Sequence, residues 1–124
     1  MNPPISIDAD RLLGELAELA RISSHPAPAV TRVLFSPEDL LARRWLLGKA
    51  NAAGLATRAD AAGNLFITLP GTDPSLAAVA TGSHIDAIPN AGAYDGTVGV
   101  LGGLEVLRAI QRSELRRRRS VELI

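Results

Sequence analysis

The chain has no cysteine. That excludes a disulfide framework, a thiolate nucleophile and thiolate metal ligands, so any metal here must be held by histidine and carboxylates. Aromatic residues make up only 3% of the sequence. Charge of either sign is not in excess, because 13 basic residues face 13 acidic ones. With neither a basic surplus nor stacking residues, nucleic acid and anionic membranes are not expected partners. No stretch approaches the ~18 uncharged apolar residues that cross a bilayer. The opening segment, residues 1–8, lacks the basic-then-apolar pattern of a signal peptide. Lysine is nearly absent, with Lys49 alone. What is present is a hydrophobic fraction of 47% against 21% charged residues over 124 residues. This describes one globular domain able to bury roughly two thirds of its unfolded surface. It reads as a soluble, cytoplasmic protein.

Hydrophobic spacing predicts a helix over residues 8–22, with Leu12, Leu13, Leu16, Leu19 and Ala20 on one face. Residues 23–28 break the pattern and read as a loop. Ser36-Pro37-Glu38-Asp39 combines a cap, a first-turn proline and two acids, and predicts a helix running to about Ala53. Leu40, Leu41, Trp45 and Leu47 are its expected packing residues, and Gly54 its stop. Two strands are expected at 55–60 and 64–69 around an Ala61-Ala62-Gly63 turn. Residues 70–74 connect them to an apolar run, 76–81, expected as a strand covered on both faces. A loop over 83–95 leads to a helix at 97–112. Its Gly99, Gly102 and Gly103 each cost ~1 kcal/mol relative to alanine, which suggests close packing against a sheet or another backbone. The arginines 116–119 read as a solvated turn before a last strand at 121–124. The chain stops as that strand begins, with no helix to cover it, which reads as an interruption rather than a domain boundary. The fold class is α/β, a mixed sheet flanked by helices.

Chemistry concentrates where the run 76–81 ends. His84 is followed two residues later by Asp86 and then by Asp95. Residues i and i+2 of an extended segment share a face, so Asp86 can hold one ring nitrogen of His84 and leave the other for a metal. Asp95 can join the same ion or bridge two. Taken by themselves, His84 and Asp86 read more readily as a surface or capping pair, and Asp95 as a helix N-cap. Their joint position at a strand's carboxyl end, where open α/β sheets bind ligands, makes a site as good a reading as the bland one, and the residues alone do not decide between them. His25 reads as a loop histidine. Residues 96–103 lack the Gly-Lys-Ser/Thr ending of a P-loop and the spacing of a dinucleotide fingerprint.

Residues 81–110, TGSHIDAIPNAGAYDGTVGVLGGLEVLRAI, resemble the metal-binding block of the binuclear metal-dependent amidohydrolases related to aminoacylases and carboxypeptidases. The group comprises N-carbamoyl-amino-acid hydrolases, allantoate amidohydrolases and ureidoglycolate amidohydrolases. Val30-Thr31-Arg32, Ala62-Gly63-Asn64-Leu65-Phe66 and Leu69-Pro70-Gly71-Thr72 are similar to the same group. His84-Ile85-Asp86-Ala87-Ile88-Pro89 is closer to the ureidoglycolate branch than to the commoner His-Leu-Asp-Thr-Val-Pro form. The resemblance implies that residues 1–124 are the incomplete N-terminal part of a zinc-peptidase-like catalytic domain. It implies that His84 binds one metal, Asp95 bridges two, and Asp86 orients the imidazole as a catalytic residue. The cofactors implied are two divalent ions, Zn²⁺ or Mn²⁺, the substrate a small ureido or carbamoyl acid, and the assembled relatives homodimers.

The paired glutamates of that family, its two later histidines and its lid or dimerisation domain are not among these residues. Glu105 and Glu122 do not match the pair. Ala93 stands where relatives often carry a basic residue. Thr31 and Arg32 read as loop residues, with a substrate-proximal place only through the resemblance. Two other readings stay open. One is a non-catalytic, partner-binding remnant whose final strand presents an open edge. The other is a peptidase or deacylase of the same superfamily.

Overall fold

The computed structural model describes residues 4–113 and 115–124. Helix α1 spans Ala9–Ala20. The Asp8 carboxylate accepts the Arg11 N–H at 2.9 Å and caps its start. Leu16 and Leu19 are buried, but Leu13 is 61% exposed. One residue is ~100° of helix, which turns Leu13 away from the face Leu12 shares with Leu16.

Helix α2 spans Pro37–Ala52. The Ser36 hydroxyl accepts the Asp39 N–H at 3.3 Å, and Pro37 occupies the first turn. Asp39, Ala42, Leu46 and Ala50 form the buried stripe, with Trp45 packed beside it. Leu40 and Leu41, expected to pack, are exposed. The alanines, which carry little hydrophobic signal, mark the true inward face.

Four strands form one sheet in the order β2 (Ala56–Ala59), β3 (Leu65–Leu69), β6 (Val121–Leu123), β4 (Val79–Thr81). The β2–β3 hairpin turns at Asp60, whose carboxylate accepts the N–H groups of Ala62 at 3.0 Å and Asn64 at 2.9 Å. Strand β6 pairs antiparallel with β3 and parallel with β4. A parallel pair needs a crossover, and α3 (Thr97–Arg112) supplies it while packing on β6, β3 and α1. At Gly103 a Cβ would lie 2.7 Å from Leu123 Cδ1, so α3 rests directly on β6. Gly99 meets Ser83 in the same way, whereas Gly102, expected to be pressed too, has nothing near it. Leu19, Leu46, Ile67, Leu104, Leu107 and Leu123 anchor the core between helices and sheet.

Several expectations are corrected. The run 76–81 is strand only at β4, an edge strand whose residues are exposed rather than covered on both faces. The sheet's open edges belong to β2 and β4; β6 is paired on both sides. The segments around Val30 and Ala87, read as loops, form a second antiparallel sheet of β1 (Val30–Arg32) and β5 (Ala87–Ala91). Strand β5 contains Pro89 and Asn90, the latter at φ 57°, which gives it the composition of a turn. The arginine run is largely exposed, as expected of a solvated turn, and it also docks onto the connector before β4. Arg117 donates to the Pro70 carbonyl at 3.0 Å, Arg118 pairs with Asp73 at 3.1 Å, and Arg119 donates to the Ala77 carbonyl at 2.8 Å. No helix among the described residues is long and apolar enough to cross a membrane.

Candidate metal centre

The chain leaves β4 at Thr81 and reaches His84 at the carboxyl end of that strand, beside the start of α3. This is the crevice where α/β sheets place ligands. His84 Nδ1 lies 3.2 Å from Asp86 Oδ1 and 3.1 Å from the Asp86 carbonyl. Both are acceptors, so the ring proton belongs on Nδ1 and the lone pair on Nε2. Nε2 faces Asp95, whose Oδ2 is 3.9 Å away. The three expected side chains therefore converge, with the two carboxylates on opposite nitrogens of one imidazole.

Local geometry explains the placement. Asp95 does not cap α3; that position is Gly96, at φ 71° and with no side-chain cap. The turn sends the Asp95 carboxylate out toward His84 and leaves its side chain 79% exposed. A Cβ at Gly96 would stand 2.5 Å from His84 Cε1, Nε2 and the His84 carbonyl. Buried Thr97 donates its hydroxyl to the Ala93 carbonyl at 2.6 Å and closes the same turn.

A metal's ligand chemistry is partly met. A tetrahedral ion with bonds of ~2.0–2.2 Å sets its donors ~3.4 Å apart, close to the 3.9 Å between His84 Nε2 and Asp95 Oδ2. Among the described residues no group of three or more His, Cys, Asp or Glu side chains is poised around one point. His84 and Asp95 thus fit two positions of an ion, and Asp86 supports one of them. Beside them lies a half-open cavity of about 190 Å³, whose lining includes His84, Asp86, Arg43, Asn64, Leu46 and Val100.

Other singled-out residues have structural places. Glu105, 1% exposed, takes hydrogen bonds from Arg11, Arg112 and the Asp8 N–H. Burial pushes its carboxyl up, but these donors outweigh that and hold it at about 2. Glu122 accepts from Thr68 at 2.6 Å. His25 sits in an exposed loop against Ser24. Thr31 and Arg32, read as loop residues, are buried in β1. The Thr31 hydroxyl accepts the Asn90 N–H at 2.9 Å. Arg32 Nε donates to the Ile85 carbonyl at 2.6 Å, inside the His84–Asp86 segment. These contacts join residues more than fifty positions apart and have no local signal; only the Asp95-Gly96 pair, a turn dipeptide, was available to find Gly96.

Comparison with known proteins gives one answer. Residues 64–124 match the model of peptidase family M28. The chain is 50% identical over 123 residues to a ureidoglycolate hydrolase of Oryza sativa subsp. japonica, covering 99% of this chain and 25% of that protein. It is 41% identical to an N-carbamoyl-L-amino-acid amidohydrolase of Paenarthrobacter aurescens, covering 94% of this chain and 28% of that one. The crystal structure of AtUAH in complex with glyoxylate superposes with a TM-score of 0.92 at 48% identity, over 96% of this chain and 28% of that one. The chain spans about a quarter of the length of the curated relatives it matches. Along nearly all of its residues, it belongs to the amidohydrolase family of the ureidoglycolate hydrolases and N-carbamoyl-L-amino-acid amidohydrolases.

Proposed function

We propose that residues 1–124 are the N-terminal part of the catalytic domain of a metal-dependent hydrolase. Its substrate is a small ureido or N-carbamoyl acid, such as ureidoglycolate, allantoate or an N-carbamoyl amino acid, cleaved at a C–N bond that is not a peptide bond. The observation that carries the reading is the pair of carboxylates on the two nitrogens of His84, at 3.2 Å and 3.9 Å.

In this reading His84 Nε2 and an Asp95 oxygen would hold the metal. Asp86 keeps the proton on Nδ1, fixes the ring plane and raises the basicity of Nε2. A bound divalent ion, Zn²⁺ or Mn²⁺, would supply Lewis acidity and lower the pKa of water toward ~7. Leu46 and Val100 line the adjoining cavity and limit access of bulk water on that side. Among the described residues these two donors leave the coordination incomplete, so further ligands and a general base would be needed to complete it.

The test is turnover of the full-length protein, metal-loaded and metal-stripped, on ureidoglycolate, allantoate and N-carbamoyl amino acids against acyl-amino acids and dipeptides. Metal-dependent release from the ureido or carbamoyl acids is expected. The peptidase-type match of residues 64–124 favours peptidase or deacylase chemistry as the second reading. Turnover confined to dipeptides or acyl-amino acids would replace the first reading with it.

A further inference from the structure

We infer that Arg32 is a positioning residue for the His84–Asp86 pair, acting through the Ile85 carbonyl; the inference rests on the metal-binding reading of that pair. Arg32 is 1% exposed. Its guanidinium donates to three main-chain carbonyls: Ile85 from Nε at 2.6 Å, and Leu19 and Ile22 from one terminal nitrogen at 3.0 and 2.6 Å. Two of these acceptors lie at and just beyond the end of α1: the Leu19 carbonyl, which also accepts the Ile22 N–H at 3.1 Å, and the Ile22 carbonyl past the cap. The third lies 53 residues further along the chain, in the peptide that joins Ile85 to Asp86.

A buried cation is costly unless its surroundings compensate it, and no carboxylate lies within ion-pair distance of Arg32 among the described residues. The charges of Asp39 and Asp86 act on it only through space, against the effect of burial. Capping α1 alone does not call for so expensive a group. A planar fork that reaches two elements at once does, and lysine cannot reproduce it. With the side chains of Ile85 and Ala87 buried on either side, the orientation of the 85–86 peptide decides where the Asp86 carboxylate points. It points at His84 Nδ1. Thr31, the neighbour of Arg32, steadies the following turn by accepting the Asn90 N–H.

The experiment compares wild type, Arg32→Lys, Asp86→Asn, the double variant and His84→Ala in the full-length protein, by Zn²⁺ affinity, kcat, KM and melting temperature. For Arg32→Lys, Zn²⁺ affinity and kcat are expected to fall ~10–100-fold, as for loss of a partner that orients a ligand, with KM little changed. The double variant is expected to be no worse than Asp86→Asn alone. Additive losses, or a lower melting temperature with affinity and kcat retained, would overturn the role. If His84→Ala loses metal while Arg32→Lys binds as wild type does, the Arg32 inference alone fails; if His84→Ala keeps metal and turnover, the metal reading fails and this inference with it. Should Arg32→Lys not fold, the Arg32 Nε–H resonance of wild type is followed during Zn²⁺ titration. A shift on loading supports the coupling, and an unmoved resonance overturns it.

Discussion

A single methyl group on Gly96 would occupy space now held by the His84 ring, 2.5 Å from two of its atoms. The backbone there also adopts φ 71°, which costs ~1–2 kcal/mol for a residue with a Cβ. Gly96→Ala is therefore expected to push the imidazole off Asp95 and weaken Zn²⁺ binding by ~10-fold or more, measurable by calorimetric titration of the full-length protein. His84→Ala should empty the site of metal. Asp86→Asn keeps the shape but gives Nδ1 a neutral partner, so it should lower the rate more than the occupancy. Metal analysis alongside turnover separates the two, and equal metal content with unchanged rates in both would refute the assigned roles. The proximity of His84, Asp86 and Asp95 was legible from sequence because all three fall within one short stretch between a strand and a helix. Arg32 was not, because its meaning depends on acceptors in α1 and beside β5.

Among the elements, α1 and α3 are joined by charge as well as by leucines. Arg108 pairs with Glu15 at 2.8 Å, and Glu105 gathers Arg11, Arg112 and the Asp8 N–H. Glu105 has a folded pKa of about 2, below its ordinary 4.5. A lowered folded pKa adds stability above the unfolded value, which is lost as pH falls from the unfolded toward the folded value. The α1–α3 junction should thus weaken as pH drops from about 4.5 to about 2. Urea melts at several acidic pH values would reveal the slope, and Glu105→Gln should flatten it while lowering stability near neutrality. Helices were readable because caps and periodicity act locally: Asp8, Ser36 and Pro37 mark their starts. Strand β1 hid because three residues are too short a run to show a pattern, and β5 because pairing, not residue preference, makes a strand of Pro89 and Asn90. The apolar run before His84 misled for the opposite reason, since small apolar residues also occur in an exposed edge strand.

At the scale of the molecule, the isolated 124 residues are expected to retain metal weakly after dialysis and to hydrolyse ureido acids negligibly, because two donors leave an ion underbound. Stoichiometric metal with turnover in this segment would contradict that. The open edge at β4, with Val79 56% exposed, invites strand pairing between copies. Val79→Lys should slow the concentration-dependent aggregation of the segment, as followed by light scattering. The α/β architecture was legible because a change of hydrophobic period divides the chain; the sheet order was not, because β6 inserts between β3 and β4 from the far end of the sequence. That insertion has a consequence in time. The Ser83 N–H is held by the Ile124 carbonyl, and the Ile124 N–H by that of Thr81. During synthesis the turn bearing the histidine stays unanchored on that side until residue 124 has emerged, so this side of the centre cannot template the folding that precedes it.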